Sequence, residues 1–210
     1  MHPLSRWLEM TAPTEEIPTI PLTGTGVERP APEWVEVSQS LHRVFGFVDI
    51  CGFTAYTDQH GTHAAVELLT RFRSAVRDVT ARRGVRVIKW LGDGVMLVGI
   101  EEGPTIATVA ELILRFREDD FEIHAGVAGG TVLLFEGDDY IGRPVNLAAR
   151  ICEAAGPGEM LAAGLTDLPE WVRIGQHVTV QALGIGDLPG VALLEVDDDV
   201  WADEPIPRAG

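Results

Sequence analysis

Phe47-Val48-Asp49-Ile50-Cys51-Gly52-Phe53-Thr54 is the stretch on which the fold turns. The apolar run from Val44 to Val48 reads as a short buried strand. It ends on a carboxylate, Asp49, and a glycine-containing turn follows at once. Thr54 is placed to cap the helix that begins there. A sheet end and a helix start are therefore brought together, with an acid at one and free backbone N–H groups at the other. That arrangement suits a cation held against a phosphate, the carboxylate taking the metal and the helix N-terminus the anion. A strand-ending Asp is also an ordinary helix cap, and this segment alone leaves both readings open.

Working outward, composition narrows the class. The chain has 210 residues, 46% of them hydrophobic, enough for one cored domain. Its formal net charge of −16 argues against nucleic-acid binding and against a polybasic membrane anchor. A polyanionic ligand would need metal ions and a few placed cations. The two cysteines, Cys51 and Cys152, form no disulfide framework and read as reduced thiols of a cytoplasmic protein. No 18-residue apolar run suggests a membrane span, and Met1 to Arg6 lacks the apolar core of a signal peptide. Thr14 to Pro32 has neither helical nor strand period. The expected organisation is a loosely packed arm over 1–40, a catalytic-type domain over 41–197 and an acidic tail over 198–210.

Within the domain, Ala65, Leu68, Leu69, Phe72, Val76 and Val79 recur at helical spacing, and Gly84 ends that helix. Val85 to Leu91 alternates as a strand, which places Lys89 on the face of Val85, Val87 and Leu91. Gly92-Asp93-Gly94 turns it into a second strand, 95–98. A helix is expected from Pro104 to Arg117, with Ile106, Val109, Ala110 and Ile113 as its stripe. A strand over 121–128 is expected to break at Gly129-Gly130, with another over 131–135. A loop at 137–140 and a helix from Pro144 to about Ala155 follow. Met160-Leu161, a short helix at 165–172 and strands at 178–183 and 192–196 complete the pattern. Hairpins mixed with crossover helices argue for an α+β fold, a mostly antiparallel sheet with helices largely on one face.

Lys89 is the only lysine of the chain. On an apolar strand face it is either an edge residue with its ammonium in water or a donor to a buried acceptor such as a purine ring nitrogen. Asp93 is what a hairpin turn uses, or a second metal carboxylate beside Asp49. Asp139 sits in an acidic loop. Asn146 and Arg150 share a helix face at i, i+4, either as surface residues or as a pair that positions a substrate and meets developing negative charge. The six histidines show no metal spacing, and neither a P-loop nor a GxGxxG motif occurs.

Three segments, Phe47 to Thr54, Ile88-Lys89-Trp90-Leu91-Gly92-Asp93-Gly94 and Asp139-Tyr140-Ile141-Gly142-Arg143-Pro144-Val145-Asn146-Leu147-Ala148-Ala149-Arg150-Ile151, resemble in order and spacing those of the class III adenylate and guanylate cyclase catalytic domain. The resemblance covers about Arg43 to Val196 and implies a ferredoxin-like, palm-like cyclase fold. It implies that Asp49 and Asp93 bind two divalent cations, Mg²⁺ or Mn²⁺, and that Gly52, Phe53 and Thr54 meet phosphate. Lys89 and Asp139 resemble the adenine-selecting pair, where guanylate cyclases typically carry Glu and Cys. Asn146 and Arg150 resemble the ribose-orienting and transition-state pair. The implied activity is adenylate cyclase, ATP to cyclic AMP and pyrophosphate, in a homodimer with two shared sites. The alternatives are a guanylate cyclase and a catalytically silent cyclase-like module. One departure stands out: Gly184-Ile185-Gly186-Asp187-Leu188 has no cation where family members often keep a phosphate-binding lysine, leaving Arg173 or Arg143 as substitutes.

Overall fold

Strand β1 (Ser40–Ile50) runs through the centre of an eight-stranded sheet and carries the opening motif. The computed structural model describes residues 40–117, 119–135, 139–182 and 186–197. The expectations for the arm before Ser40, the tail from 198, and residues 137, 138, 184 and 185 lie outside them. The elements that follow β1 are α1 (Phe53–Arg83), β2 (Arg86–Leu91), β3 (Gly94–Gly99), α2 (Glu102–Phe116) and β4 (Ile123–Phe135). Then come β5 (Asp139–Ile141), α3 (Arg143–Ala154), β6 (Met160–Ala163), β7 (Val172–Ala182) and β8 (Gly186–Val196).

The strand order is β2-β3-β1-β4-β6-β8-β7, with β5 added to β4. Every pairing is antiparallel except β4 with β6. One sheet face buries Val44, Val48, Ile50, Leu97 and Val127 against α1 and α2. The other buries Phe45, Phe47, Met96 and Val98 against Val145, Ala148, Ala149 and Cys152 of α3. So the two long helices cover one face and α3 covers part of the other. α3 can come this close because β4 has a glycine beneath it: a Cβ on Gly126 would stand 2.3 Å from both the Ala148 oxygen and the Cys152 nitrogen.

Several local expectations are corrected. Thr54 does not cap α1; Gly52 takes the cap position in the left-handed region (φ 66°, ψ 22°), and no side chain caps the helix. Helix α1 is interrupted at Gly61 (φ 84°, ψ 169°), so its first two turns form a segment apart from the helix that packs on the core. A bulge between Val87 and Lys89 resets the alternation of β2. Val87 stays on the α1 face, whereas Lys89 pairs with Met96 and shares the α3 face with Leu91.

Gly129-Gly130 does not end a strand. β4 runs through it and bends there, with Gly130 at φ 153°. The bend is measurable. Tyr140 pairs with Leu134, six residues beyond Ala128, which lies opposite Phe45. A straight strand would separate those levels by roughly 20 Å, yet the Phe45 and Tyr140 rings lie 5.4 Å apart. The β4–β5 hairpin therefore curls back over the α3 face. Asp139 lies in β5 rather than in a loop. The expected helix at 165–172 is absent, because the Glu102 carboxylate accepts the backbone N–H groups of Thr166 and Asp167, both at 2.7 Å, and holds them in a non-helical turn.

Candidate active site

The first group of residues gathers at the end of β1. Asp49 is fully buried and Asp93 is 4% exposed. They sit at adjacent strand ends, because β1 pairs with β3 up to Val48–Val95 and the β2–β3 turn carries Asp93. Gly94 makes the approach feasible: a Cβ there would stand 2.5 Å from Asp49 Oδ1. On the opposite side β4 places His124 directly across from Asp49. Its Nε2 lies 3.6 Å from Asp49 Oδ2, and its Nδ1 lies 2.6 Å from the Cys152 carbonyl oxygen. Two hard carboxylates fit a divalent cation such as Mg²⁺ or Mn²⁺. Among the described residues no group of three His, Cys, Asp or Glu could hold a metal unaided. Such an ion would complete its shell with phosphate oxygens and water, the usual state of Mg²⁺ at nucleotide sites.

The N-terminus of α1 adjoins this group. Gly52 and Thr54 are exposed and Phe53 is half-buried against the core. The Cys51 N–H donates to the Glu122 oxygen at 2.9 Å and the Tyr56 N–H to the Gly52 oxygen at 3.0 Å, so the first-turn amides of Phe53, Thr54 and Ala55 are the donors a helix start offers. Cys51 is half-buried; burial, then Glu122 and Asp49, push its thiol up to about 11. It is a protonated thiol at neutral pH, not a nucleophile.

The second group is Lys89 with Asp139, which form an ion pair on the α3 side of the sheet. The bulge in β2 turns Lys89 to that face, and the bend in β4 delivers Asp139 to it. The third group lies on α3. Pro144, Val145, Ala148, Ala149, Ile151 and Cys152 are its buried stripe. Asn146 and Arg150 fall on the remaining stripe, as their spacing predicts, and Arg150 Nη1 donates to Glu153 Oε2 at 3.0 Å. Arg143 is exposed at the start of α3, whereas Arg173 is committed to Glu195, with its Nε donating at 2.9 Å. The structure thus brings the six expected residues together as three pairs. The neighbour that the sequence did not single out is His124. Its only signal was a polar side chain alternating with Ile123 and Ala125, and its importance depends on the pairing of β4 with β1.

No family model matches the chain. An uncharacterized protein of Mycobacterium tuberculosis is 38% identical over 181 residues, which cover 83% of this chain and 47% of that protein. A pH-sensitive adenylate cyclase of the same species is 36% identical over 131 residues, 59% of this chain and 32% of its own length. The chain therefore spans less than half the length of these curated relatives. Among solved structures, a guanylyl cyclase superposes with a TM-score of 0.66 at 18% identity, over 82% of this chain and 98% of that one. The adenylyl cyclase CyaB of P. aeruginosa superposes with a TM-score of 0.56 at 22% identity, over 82% and 99%. The chain thus has the fold of the solved adenylyl and guanylyl cyclase catalytic domains, and over part of its length it is similar to an adenylate cyclase.

Proposed function

We propose that this protein is an adenylate cyclase, forming 3′,5′-cyclic AMP and pyrophosphate from ATP in a homodimer with two shared sites. The observation that carries the reading is the Lys89–Asp139 pair, set on the same sheet face as the buried carboxylates Asp49 and Asp93. An ammonium and a carboxylate side by side match the purine edge of adenine, a ring acceptor beside an amine donor. Guanine reverses both groups, so each protein group would face its like. Without nucleotide the two residues satisfy each other, and adenine enters by exchanging one ion pair for two base contacts.

Asp49 and Asp93 are the residues that would hold the divalent cations, which when bound lower the pKa of the ribose 3′-hydroxyl and neutralise phosphate charge. The α1 N-terminus at Gly52, Phe53 and Thr54 presents backbone N–H groups to the phosphates. Asn146 orients the ribose. Arg150 leaves Glu153 and meets the negative charge that builds on the α-phosphate as pyrophosphate departs. No protein nucleophile is needed.

Direction supports the dimer. The buried stripe of α3 packs on the sheet beside Asp49, so Asn146 and Arg150, on the opposite stripe, turn away from the carboxylates of their own chain. A second copy supplies them. Leu133, Phe135 and Ile141, each more than 40% exposed on the β4–β5 hairpin, offer apolar surface for that contact.

The deciding experiment incubates the purified chain with ATP or GTP and Mg²⁺ or Mn²⁺ and quantifies cyclic nucleotide and pyrophosphate by chromatography. Metal-dependent cyclic AMP is expected. Cyclic GMP as the main product would overturn the roles given to Lys89 and Asp139, and nucleotide binding without product would mark a silent module.

A further inference from the structure

Tyr140 is the last side chain that grips the core before Asp139 when the chain is followed backwards from α3. The first part of that path is held closely. A Cβ on Gly130 would stand 2.7 Å from Pro144 Cγ, and one on Gly142 would stand 2.9 Å from Val132 Cγ1 and 3.1 Å from the Thr131 oxygen. Ile141 then points outward, 55% exposed. Tyr140 turns the other way, since neighbours in a strand face opposite sides, and packs on the cluster that includes Phe45, Met96 and Val98. Its ring meets the Phe45 ring at 67° with centroids 5.4 Å apart, the edge-to-face arrangement that aromatic pairs favour. Phe45 is fully buried in the central strand β1 and forms a fixed wall. Asp139 comes next, at the start of β5 and opposite the exposed Phe135. Its ion pair with Lys89 is open to solvent, with side chains 49% and 39% exposed, and is too weak to hold the hairpin in place. The hairpin holds the pair, and Tyr140 holds the hairpin at the point nearest the pair.

We propose that Tyr140 is a positioning residue that sets base specificity: its ring, lodged against Phe45, keeps Asp139 within reach of Lys89. The inference rests on the reading of Lys89 and Asp139 as the adenine-selecting pair. An ammonium alone discriminates poorly, because guanine also offers it acceptors. The carboxylate supplies the discrimination, since it accepts from the amine of adenine and faces the guanine oxygen as its like. It does so well only when it is in place before the base arrives. Without the Tyr140 ring Asp139 is free to turn to solvent, and the cost of ordering it falls on the binding of ATP.

The test measures kcat and KM of the full chain for ATP and for GTP with Mn²⁺, in the wild type, Tyr140→Ala, Tyr140→Phe, Asp139→Ala and the double variant Tyr140→Ala with Asp139→Ala. Thermal unfolding midpoints show which variants are folded, and Tyr140→Leu takes the place of Tyr140→Ala if the alanine variant is not. Tyr140→Ala should raise KM for ATP and lower the ATP-to-GTP ratio of kcat/KM by roughly ten-fold, the equivalent of one lost hydrogen bond, with kcat nearly unchanged. Tyr140→Phe keeps the ring and should match the wild type in both. In the Asp139→Ala background the loss of Tyr140 should lower the ratio no further, because no carboxylate is left to position. A ratio that survives Tyr140→Ala, or that falls equally in both backgrounds, would overturn the proposal and leave the base-selecting pair standing. A ratio that survives Asp139→Ala, or a wild type that turns over neither nucleotide, would overturn the reading of the pair and the proposal with it.

Discussion

Lys89 reaches Asp139 across fifty positions of sequence, and each is partly exposed. Solvent screens such a pair, so its contribution to stability is small. In the proposed function its value lies in what it presents to a ligand. Lys89→Ala should leave the unfolding midpoint nearly unchanged but lower kcat/KM for ATP by roughly 10–100-fold, the kinetic equivalent of one lost buried hydrogen bond. Steady-state kinetics with ATP and GTP side by side would check this, and the ATP-to-GTP ratio should narrow as well. At this scale the positions of much of the candidate site are legible. Asp49, Asp93, Asn146 and Arg150 stand where short, local motifs put them, because a strand end, a tight turn and an i, i+4 helix face are set by neighbours in the chain. The facing of Lys89 was not legible. Strict alternation put it with Val85 and Val87, and one bulged residue moved it to the other side of the sheet. His124 was invisible for a related reason: its partner Asp49 is remote in sequence and is reached only through strand pairing.

At the scale of elements, α1 and α2 are joined by a buried carboxylate. Glu111 is fully buried and meets Arg82 at 2.5 Å, Arg83 at 2.7 Å and Arg115 at 3.1 Å. Removing the acid leaves the buried Arg115 guanidinium without its partner and beside the partly exposed Arg82 and Arg83. Glu111→Ala should therefore cost roughly 3–5 kcal/mol, measured by urea unfolding. Asp78 supports the same cluster from the surface, 2.8 Å from Arg115. Burial acts to raise its carboxyl, but the hydrogen bond and charge of Arg115, then Arg82, outweigh it and hold the group below its ordinary 3.8. A depressed carboxyl stabilises the fold above its unfolded pKa, and that contribution is lost as the pH falls through the lower folded value. Asp78→Asn should thus be slightly less stable than wild type at pH 7, with the gap closing below pH 3.8 in thermal melts across a pH series. The long helices and the β2–β3 hairpin were legible from periodicity and turn chemistry. Gly129-Gly130 reads in the sequence as a break because paired glycines usually end strands; here they let β4 bend without leaving the sheet. The missing helix at 165–172 was lost to the Glu102 side chain, 64 residues upstream of Thr166, which no local pattern announces.

For the whole molecule, a shared-site dimer makes a prediction that no single chain can satisfy. Asp93→Ala and Arg150→Ala should each be inactive. Mixed and allowed to exchange subunits, they should recover up to about a quarter of wild-type activity, because half of the random dimers are mixed and each of these rebuilds one site of two. Activity of the mixture, with subunit exchange followed by fluorescence transfer between labelled chains, would check it. The sheet order has a consequence of another kind, for the chain as it is made. β1 is synthesised before any of its partners. β3 closes one of its edges once residue 99 has emerged, but β4 is complete only at residue 135, a further 36 residues (135 − 99). At a synthesis rate of about 5–20 residues per second, the strand that carries Asp49 waits roughly 2–7 s on the ribosome with a bare edge beside Phe45 and Phe47. The central strand of the finished sheet is thus, during translation, the segment most in need of a chaperone's cover.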